Sequence, residues 1–215
     1  MNDKEKFLEK EKAYYGKIYV DITYAIDSVL PYLEPSTAKN RKYINKVNTV
    51  KKYIELIDSV NSEKPKGFLG IFKEDNSLDL LKDFKKSNQE NLLQLEKCSE
   101  CSCLKCPKDC KFDSCSGCRE NSSIVFCDRQ NVNLTNPTNF TINLTNDKTG
   151  KEDRFMVKAT LQDCIKNQKY IVIDSMTSDD KFILYYYPGI SEDKYGEIND
   201  EEEFDNIVSI VENNL

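Results

Sequence analysis

Eight of the nine cysteines in this 215-residue chain lie within thirty consecutive residues. These eight cysteines are Cys98, Cys101, Cys103, Cys106, Cys110, Cys115, Cys118 and Cys127. Three pairs of them have the Cys-x-x-Cys spacing, which lets two thiolates on one tight turn bind a single ion, at about 2.3 Å if the ion is zinc. Because the chain contains no histidine, a zinc site here would be built from sulfur alone.

Eight sulfurs divide into two four-thiolate sites, so we expect two structural zinc ions per chain. One division that fits the spacing gives the first ion Cys98, Cys101, Cys115 and Cys118. It gives the second ion Cys103, Cys106, Cys110 and Cys127. The ligand pairs then interleave along the chain, as in cross-braced two-zinc modules, and this pairing stays open.

The residues between these cysteines contain little that could form a hydrophobic core. Leu104, Phe112, Val125 and Phe126 are nearly all the apolar side chains nearby, and they cannot offset the conformational entropy of the segment. A covalent or coordinate bond must therefore order it. Structural zinc contributes about 10–16 kcal/mol in small peptides.

Two other chemistries of cysteine remain open at this stage. A disulfide framework would need an oxidising compartment. An iron–sulfur cluster is suggested by the spacing of Cys103, Cys106 and Cys110, but Cys101 and Cys103 are too close together for the usual ferredoxin pattern. Zinc explains the repeated pairs most simply.

Composition and charge limit the function and the partners. The formal net charge is −6, and its acidic excess lies near the C-terminus, around 179–180, 192–193 and 200–203. An acidic chain disfavours general nucleic-acid binding, which needs a basic face. A nucleic-acid-binding zinc regulator is nevertheless kept as an alternative. Its candidate contacts are Lys39, Arg41, Lys42, Lys46, Lys51 and Lys52.

The N-terminal sequence and the distribution of apolar residues indicate the cell compartment. The N-terminus is charged and lacks the apolar core of a signal peptide, and no stretch approaches the roughly 20 apolar residues that span a bilayer. We therefore expect a cytoplasmic protein, in which a reducing environment favours metal–thiolate bonds over disulfides. The Lys-, Asn- and Ile-rich usage is typical of a bacterial or phage genome.

The first part of the chain, 1–97, has the apolar spacing of helices. A first helix should bury Phe7, Tyr14, Ile18, Ile22, Ala25, Ile26 and Val29 and end near Pro31. A second, capped by Ser36 or Thr37, carries Tyr43, Val47, Val50, Ile54 and Ile57. A third, capped by Asn76 or Ser77, carries Leu78, Leu81, Phe84, Leu92 and Leu95 and runs into Cys98. These helices predict a hairpin or small bundle, through which a homo-oligomer could also form.

The loop between the second and third helices contains an apolar cluster at 67–72, which includes Phe68, Leu69, Ile71 and Phe72. Two interpretations stay open: a plug that covers the bundle, or an exposed docking motif for a partner or a membrane surface.

The last part of the chain, 128–215, changes to the period of strands. Apolar residues alternate from Phe140, and from Phe155 through Val157, Ala159 and Leu161, and two further strands start at Tyr170 and Phe182. A final helix should begin at Asn199 as N-cap, with Glu202 at the capping-box position. Its predicted buried face is Phe204, Ile207, Val208 and Val211. We expect an antiparallel sheet of about four strands closed by this helix.

This last part resembles a family of short bacterial β-rich domains of unknown function. The resemblance rests on 150–155, on 169–172, and on the acidic helix entry at 199–204. It implies a β-meander, an acidic tail and a closing helix, and it implies no activity.

The predicted fold class is α+β, with three parts: a helical domain at 1–97, a Cys-rich two-zinc module at 98–127, and a sheet domain at 128–215. No phosphate-binding loop, nucleophile elbow or histidine base is present, and Cys164 stands apart without a base. The sequence therefore predicts a non-enzymatic, zinc-stabilised adaptor that binds a protein partner. An iron–sulfur redox or sensor protein is a further alternative.

Overall fold

The computed structural model of the chain describes residues 3–62, 77–108, 112, 115, 121–146 and 149–215. It divides into two compact units. The helical unit contains Met1–Glu100 and Leu104–Pro107, and the sheet unit contains Cys101–Cys103 and Lys108–Leu215. Helices precede an antiparallel sheet with a closing helix, which confirms the predicted α+β class.

The helical unit consists of α1 (Asp3–Val29), a 3₁₀ turn (Leu30–Tyr32), α2 (Pro35–Asn40), α3 (Lys42–Asn61), α4 (Ser77–Ser87) and α5 (Gln89–Ser99). The predicted second helix is thus two helices. Pro35 occupies the first turn of α2 and Glu34 is its N-cap, so the prediction of Ser36 or Thr37 as cap is wrong. Proline suits this position because it lacks the N–H that would be unsatisfied there.

Two residues interrupt helices that the sequence predicted to be continuous. Arg41 has an extended backbone (φ −76°, ψ 106°) between α2 and α3. Asn88 (φ −119°, ψ 17°) separates α4 from α5, and its side-chain amide donates to the Phe84 carbonyl oxygen at 2.9 Å. Such local side-chain bonds compete with helix continuation. The expected approach of this last helix to Cys98 is confirmed, because α5 ends at Ser99.

The buried face of α1 differs from the predicted one at its start. Leu8 and Tyr15 are buried, whereas Phe7 and Tyr14 are 39% and 45% exposed. From Ile18 onward the predicted positions are right. The core of the helical unit is completed by side chains of α3, α4 and α5, among them Val50, Tyr53, Ile57, Leu81, Leu92 and Leu95.

The sheet unit contains seven antiparallel strands among its described residues. They are β1 (Ser122–Cys127), β2 (Val132–Pro137), β3 (Thr141–Thr145), β4 (Glu152–Asp163), β5 (Gln168–Ser175), β6 (Lys181–Tyr187) and β7 (Lys194–Glu197). Their order is β1-β2-β4-β5-β6-β7, with β3 paired to β4. The sequence predicted four of these strands, and missed β1, β2 and β7.

A β-bulge in β4 changes which side chains share a face. The register shifts between Val157 and Ala159. Phe155 and Val157 consequently join one apolar cluster, while Ala159 and Leu161 join the other. The sequence predicted a single alternating face for all four. One extra residue in a bulge reverses the alternation, so the prediction is wrong from Ala159 onward.

The closing helix, α6 (Glu201–Glu212), begins one residue later than predicted. Its N-cap is Asp200, whose side chain accepts the Glu203 N–H at 3.0 Å, so Asn199 and Glu202 do not hold the predicted cap positions. Ile207 is buried against the sheet, whereas Phe204 is 38% exposed. The helix therefore uses a narrower buried face than its apolar pattern predicted.

Candidate metal centre

A three-residue segment beside β1 positions two of the predicted ligands. Ser102 donates its backbone N–H to the Ile124 carbonyl oxygen and its hydroxyl to the Val125 carbonyl oxygen, each at 2.8 Å. Val125 lies where the register of β1 shifts against β2. A bulged residue is left out of the strand ladder, and Ser102 satisfies its carbonyl. Cys101 and Cys103, on either side of Ser102, are thereby held alongside β1.

The third sulfur lies at the end of the same strand. Val125 and Phe126 both pack against the cluster under α6, so the alternation of side chains that resumes after the bulge directs Cys127 to the opposite face. The backbone N–H of Arg129 donates to Cys127 Sγ at 3.3 Å. Arg129 has a φ of 62°, so the chain turns sharply directly after this N–H.

The turn after Cys127 is fixed by Asp128. One of its carboxylate oxygens accepts the backbone N–H groups of Gln130, Asn131 and Val132 at 2.8–3.0 Å. Partial burial acts to raise the pKa of Asp128, but these three N–H groups outweigh it and hold the pKa below its ordinary value. The turn that supplies the Arg129 N–H is therefore stabilised by a carboxylate that stays ionised at neutral pH.

The side chain of Cys103 forms hydrogen bonds with those of Cys101 and Cys127. Because of these two bonds, and because Cys103 is buried, its pKa is raised above that of an ordinary thiol. The pKa of Cys127 is lowered to about 6, since Cys103 donates to its sulfur and the Arg129 N–H adds to this effect. Cys103 thus interacts with one sulfur of its own segment, that of Cys101, and with one at the end of β1, that of Cys127.

Chemically, this set can supply soft ligands once the thiols lose their protons. Zinc and other thiophilic ions bind thiolates, and backbone N–H groups favour the charged sulfur. The described residues contain no group of three or more acidic, cysteine or histidine side chains already arranged around a common point. The three sulfurs are joined through Cys103 by hydrogen bonds, so metal binding would replace those bonds by metal–sulfur bonds and draw on further ligands.

Two other predicted ligands belong to the helical unit. Cys98, in the last turn of α5, is buried and accepts a hydrogen bond from the Gln94 side chain at 3.4 Å. Cys106 is also buried. The segment that carries it is fixed by α3, because Tyr43 donates to the Leu104 carbonyl oxygen at 3.1 Å and Arg41 donates to the Cys106 carbonyl oxygen at 3.3 Å.

The remaining cysteines are placed as follows. Cys115 is half-buried in the sheet unit, and Cys110 and Cys118 lie outside the described residues. Cys164 is in the turn between β4 and β5, where its N–H donates to the Asn131 carbonyl oxygen at 2.7 Å. The predicted division of ligands put Cys101 with a different ion from Cys103, and the hydrogen bond between these two side chains argues for placing them together.

Sequence reasoning missed the residues that hold the cysteine segment. Ser102 stands between two cysteines, and only its long-range bonds to β1 reveal its role. Arg41 was counted among candidate nucleic-acid contacts, but its side chain is 3% exposed. That basic face is smaller than the sequence indicated, with Lys39, Lys51 and Lys52 exposed and Lys42 and Lys46 half-buried.

No protein-family model matches the chain, and no significant match exists among curated proteins or solved structures. The resemblance to short bacterial β-rich domains therefore stays a prediction. Among the described residues, no helix combines the length and the apolar character needed to cross a bilayer.

Proposed function

We propose that the chain is a zinc-stabilised adaptor, without catalytic activity, that binds a protein partner. The observation that supports this proposal most directly is the pairing of Cys103 with two other clustered cysteines, Cys101 and Cys127. A four-thiolate zinc site is closed and has no coordination position for a reacting water, so its role is structural. Two ions per chain account for all eight clustered cysteines.

The metal would organise the chain where apolar burial is weakest. The cysteine segment contributes residues to both units: 101–103 belong to the sheet unit and 104–107 to the helical unit. Metal–thiolate bonds at this segment would add the ordering free energy that its few apolar side chains do not supply. This is the expected arrangement of a scaffold whose metal sites replace a hydrophobic core.

Exposed apolar side chains in the helical unit support binding of a protein. Val20 and Tyr24 on α1 are 61% and 63% exposed, and Tyr32 in the following turn is 72% exposed. Val20 and Tyr24 lie four residues apart and therefore share one face of α1, and contiguous exposed apolar side chains commonly mark an interaction surface. The apolar stretch at 67–72, which the sequence offered as a second docking motif, lies outside the described residues.

Thermal unfolding with and without a chelator tests the structural role of the metal. Wild type and Cys164→Ser should lose several degrees in Tm, or the whole transition, when zinc is removed. Cys103→Ser should already show part of this loss before any chelator is added, because one of its two sites lacks a ligand, and it should lose less than wild type on chelation. If Cys103→Ser and Cys164→Ser respond identically to chelation, Cys103 binds no structural metal and the proposal fails.

A further inference from the structure

The contact between Cys103 and Cys127 has a redox consequence. Cys127 is half-buried, and Cys103 is the cysteine whose side chain bonds to it. The two residues lie 24 positions apart in the sequence, but the hydrogen bonds of Ser102 to Ile124 and Val125 hold the Cys103 segment beside β1, the strand that ends at Cys127. Two cysteines held together in this way are poised to form a disulfide, provided that an oxidant removes two electrons.

We propose that Cys127 is a site of reversible oxidation by peroxides, that Cys103 is its resolving cysteine, and that the resulting disulfide expels metal from the site. The last clause rests on the proposed zinc site, and the first two stand without it. Cys127 is the more accessible sulfur of the pair, since Cys103 is 5% exposed. Susceptibility to oxidation follows accessibility.

The reaction has two steps. The Cys127 sulfur attacks one peroxide oxygen, so that a sulfur–oxygen bond forms, the oxygen–oxygen bond breaks and the departing hydroxide takes up a proton as water. Cys103 then attacks the sulfur of this sulfenic acid, a sulfur–sulfur bond forms and a second hydroxide leaves as water. Two thiols and one peroxide give one disulfide and two waters, and for metal-bound thiolates the two protons come from solvent.

The alternative pairing of Cys101 with Cys103 is disfavoured by the backbone. Such a disulfide would close a small ring around Ser102 alone. Both the N–H and the hydroxyl of Ser102 are engaged by β1, so the backbone could adjust only by breaking those bonds. A disulfide between Cys103 and Cys127 instead joins two adjacent segments and leaves the bonds of Ser102 in place. Bridging sulfurs cannot remain metal thiolates, so the ion loses two ligands at once.

The test treats the reduced, zinc-loaded full chain with hydrogen peroxide at increasing ratios. Peptide mapping without reductant follows the disulfide, and a chromogenic chelator follows released zinc. We expect the first product to link tryptic peptide 98–105 to peptide 120–129, with fragmentation assigning Cys103 and Cys127. Formation of this disulfide should precede modification of Cys164, because Cys103 is placed to resolve the Cys127 sulfenic acid, and a thiol reductant with added zinc should restore the starting state.

Two variants sharpen this test. In Cys103→Ser the Cys127 sulfenic acid should persist and be captured by dimedone, whereas Cys164→Ser should behave as wild type. If Cys103→Ser does not fold, isotope-coded alkylation of wild type gives the order in which the cysteines are modified. That order shows whether Cys127 is oxidised first. A first disulfide between Cys101 and Cys103, or equal rates at Cys127 and Cys164, would overturn the proposal.

The same experiment separates this inference from the proposed function. If the purified chain contains no zinc but forms the Cys103–Cys127 disulfide, the oxidation site is supported. The zinc proposal and the metal-release step are then refuted. If the chain contains zinc but its first disulfide is a different one, the zinc proposal is supported and the oxidation site is refuted.

Discussion

Replacing Glu203 by glutamine should destabilise the sheet unit, because one carboxylate there anchors α6 to two strands. Glu203 accepts hydrogen bonds from Tyr170 on β5, from Tyr185 on β6 at 2.8 Å, and from Lys166 at 3.2 Å. Its side chain is 11% exposed. The bond from Tyr170 is the largest cause that holds the pKa of Glu203 below its ordinary value.

The size of the stability loss follows from the hydrogen bonds that the glutamine amide can still form. Hydrogen bonds to a charged group contribute about 1.5–3 kcal/mol each, and bonds between neutral groups contribute about 1 kcal/mol. In Glu203→Gln the oxygen can accept from one tyrosine, while the amide nitrogen faces the other as a donor. The ion pair with Lys166, whose side chain is 45% exposed, adds at most about 1 kcal/mol. We expect a loss of about 2–3 kcal/mol.

Glu202→Gln is the matched control. Glu202 lies in the same first turn of α6 and is exposed, so it shares the interaction with the helix dipole, which is worth about 0.3–1 kcal/mol at a helix N-terminus. The difference between the two variants, about 2 kcal/mol, therefore isolates the anchoring bonds. Equal losses in Glu202→Gln and Glu203→Gln would refute the reasoning.

The pH dependence has a definite sign. Because the pKa of Glu203 is lowered by folding, its stabilisation is complete at neutral pH and is lost as the pH falls below about 4. The pKa values of Tyr170 and Tyr185 are raised, by burial first for Tyr170 and by the bond to Glu203 first for Tyr185. Their contribution is complete below about pH 10 and is lost as the pH rises further. Glu203→Gln should weaken the acidic dependence.

Urea unfolding followed by far-ultraviolet circular dichroism measures these differences, since the chain lacks tryptophan. Hydrogen exchange of β5 and β6 amides attributes the change to the sheet unit. A loss of protection confined to the helical unit would contradict the assignment.

Three further substitutions test other parts of the structure. Tyr53→Phe removes a buried hydroxyl that donates to Glu11 at 2.6 Å, so urea unfolding of the helical unit should show a loss of about 1–2 kcal/mol, and an unchanged midpoint would contradict the bond. Ser102→Ala removes the hydrogen bond to the Val125 carbonyl and should lower the free energy of unfolding by about 1 kcal/mol. It should also lower zinc affinity in a competitive chelator titration, and unchanged affinity would show that this segment does not position metal ligands. Leu95→Ala opens a cavity in the helical core and should cost about 2–5 kcal/mol by thermal unfolding, and a loss below about 1 kcal/mol would mean that the core is not built on Leu95.

The sequence predicted whether a segment is a helix or a strand better than it predicted the residue at which the element begins. At the start of α6, Asn199 with Glu202 and Asp200 with Glu203 both satisfy the same capping pattern. The structure uses the second pair, because Glu203 then reaches Tyr170 and Tyr185. Those bonds are long-range, and local spacing carries no information about them.

Bulges explain a second group of errors. The face of β4 changes at the register shift between Val157 and Ala159, which an alternating pattern of apolar residues cannot reveal. In β1 the register shift at Val125 leaves a carbonyl oxygen that accepts a hydrogen bond from the Ser102 hydroxyl. Both features depend on the pairing of distant segments, so local sequence patterns cannot predict them.

The cysteine spacing predicted metal–thiolate chemistry, which stays a prediction, and it did not reveal which of the described cysteines interact. Cys-x-x-Cys pairs suggest neighbours three residues apart, whereas Cys103 contacts Cys101, two residues away, and Cys127, which is distant in the sequence. The contacts arise from the bonds between Ser102 and β1, and thus from tertiary structure.

The most direct test of the central proposal is the metal content of wild-type chain purified under reducing conditions without added metal, measured by elemental mass spectrometry. The account predicts two zinc ions per chain, with one lost in Cys103→Ser and none lost in Cys164→Ser. Iron in place of zinc, or a metal-free chain whose sheet unit shows full hydrogen-exchange protection, would contradict it.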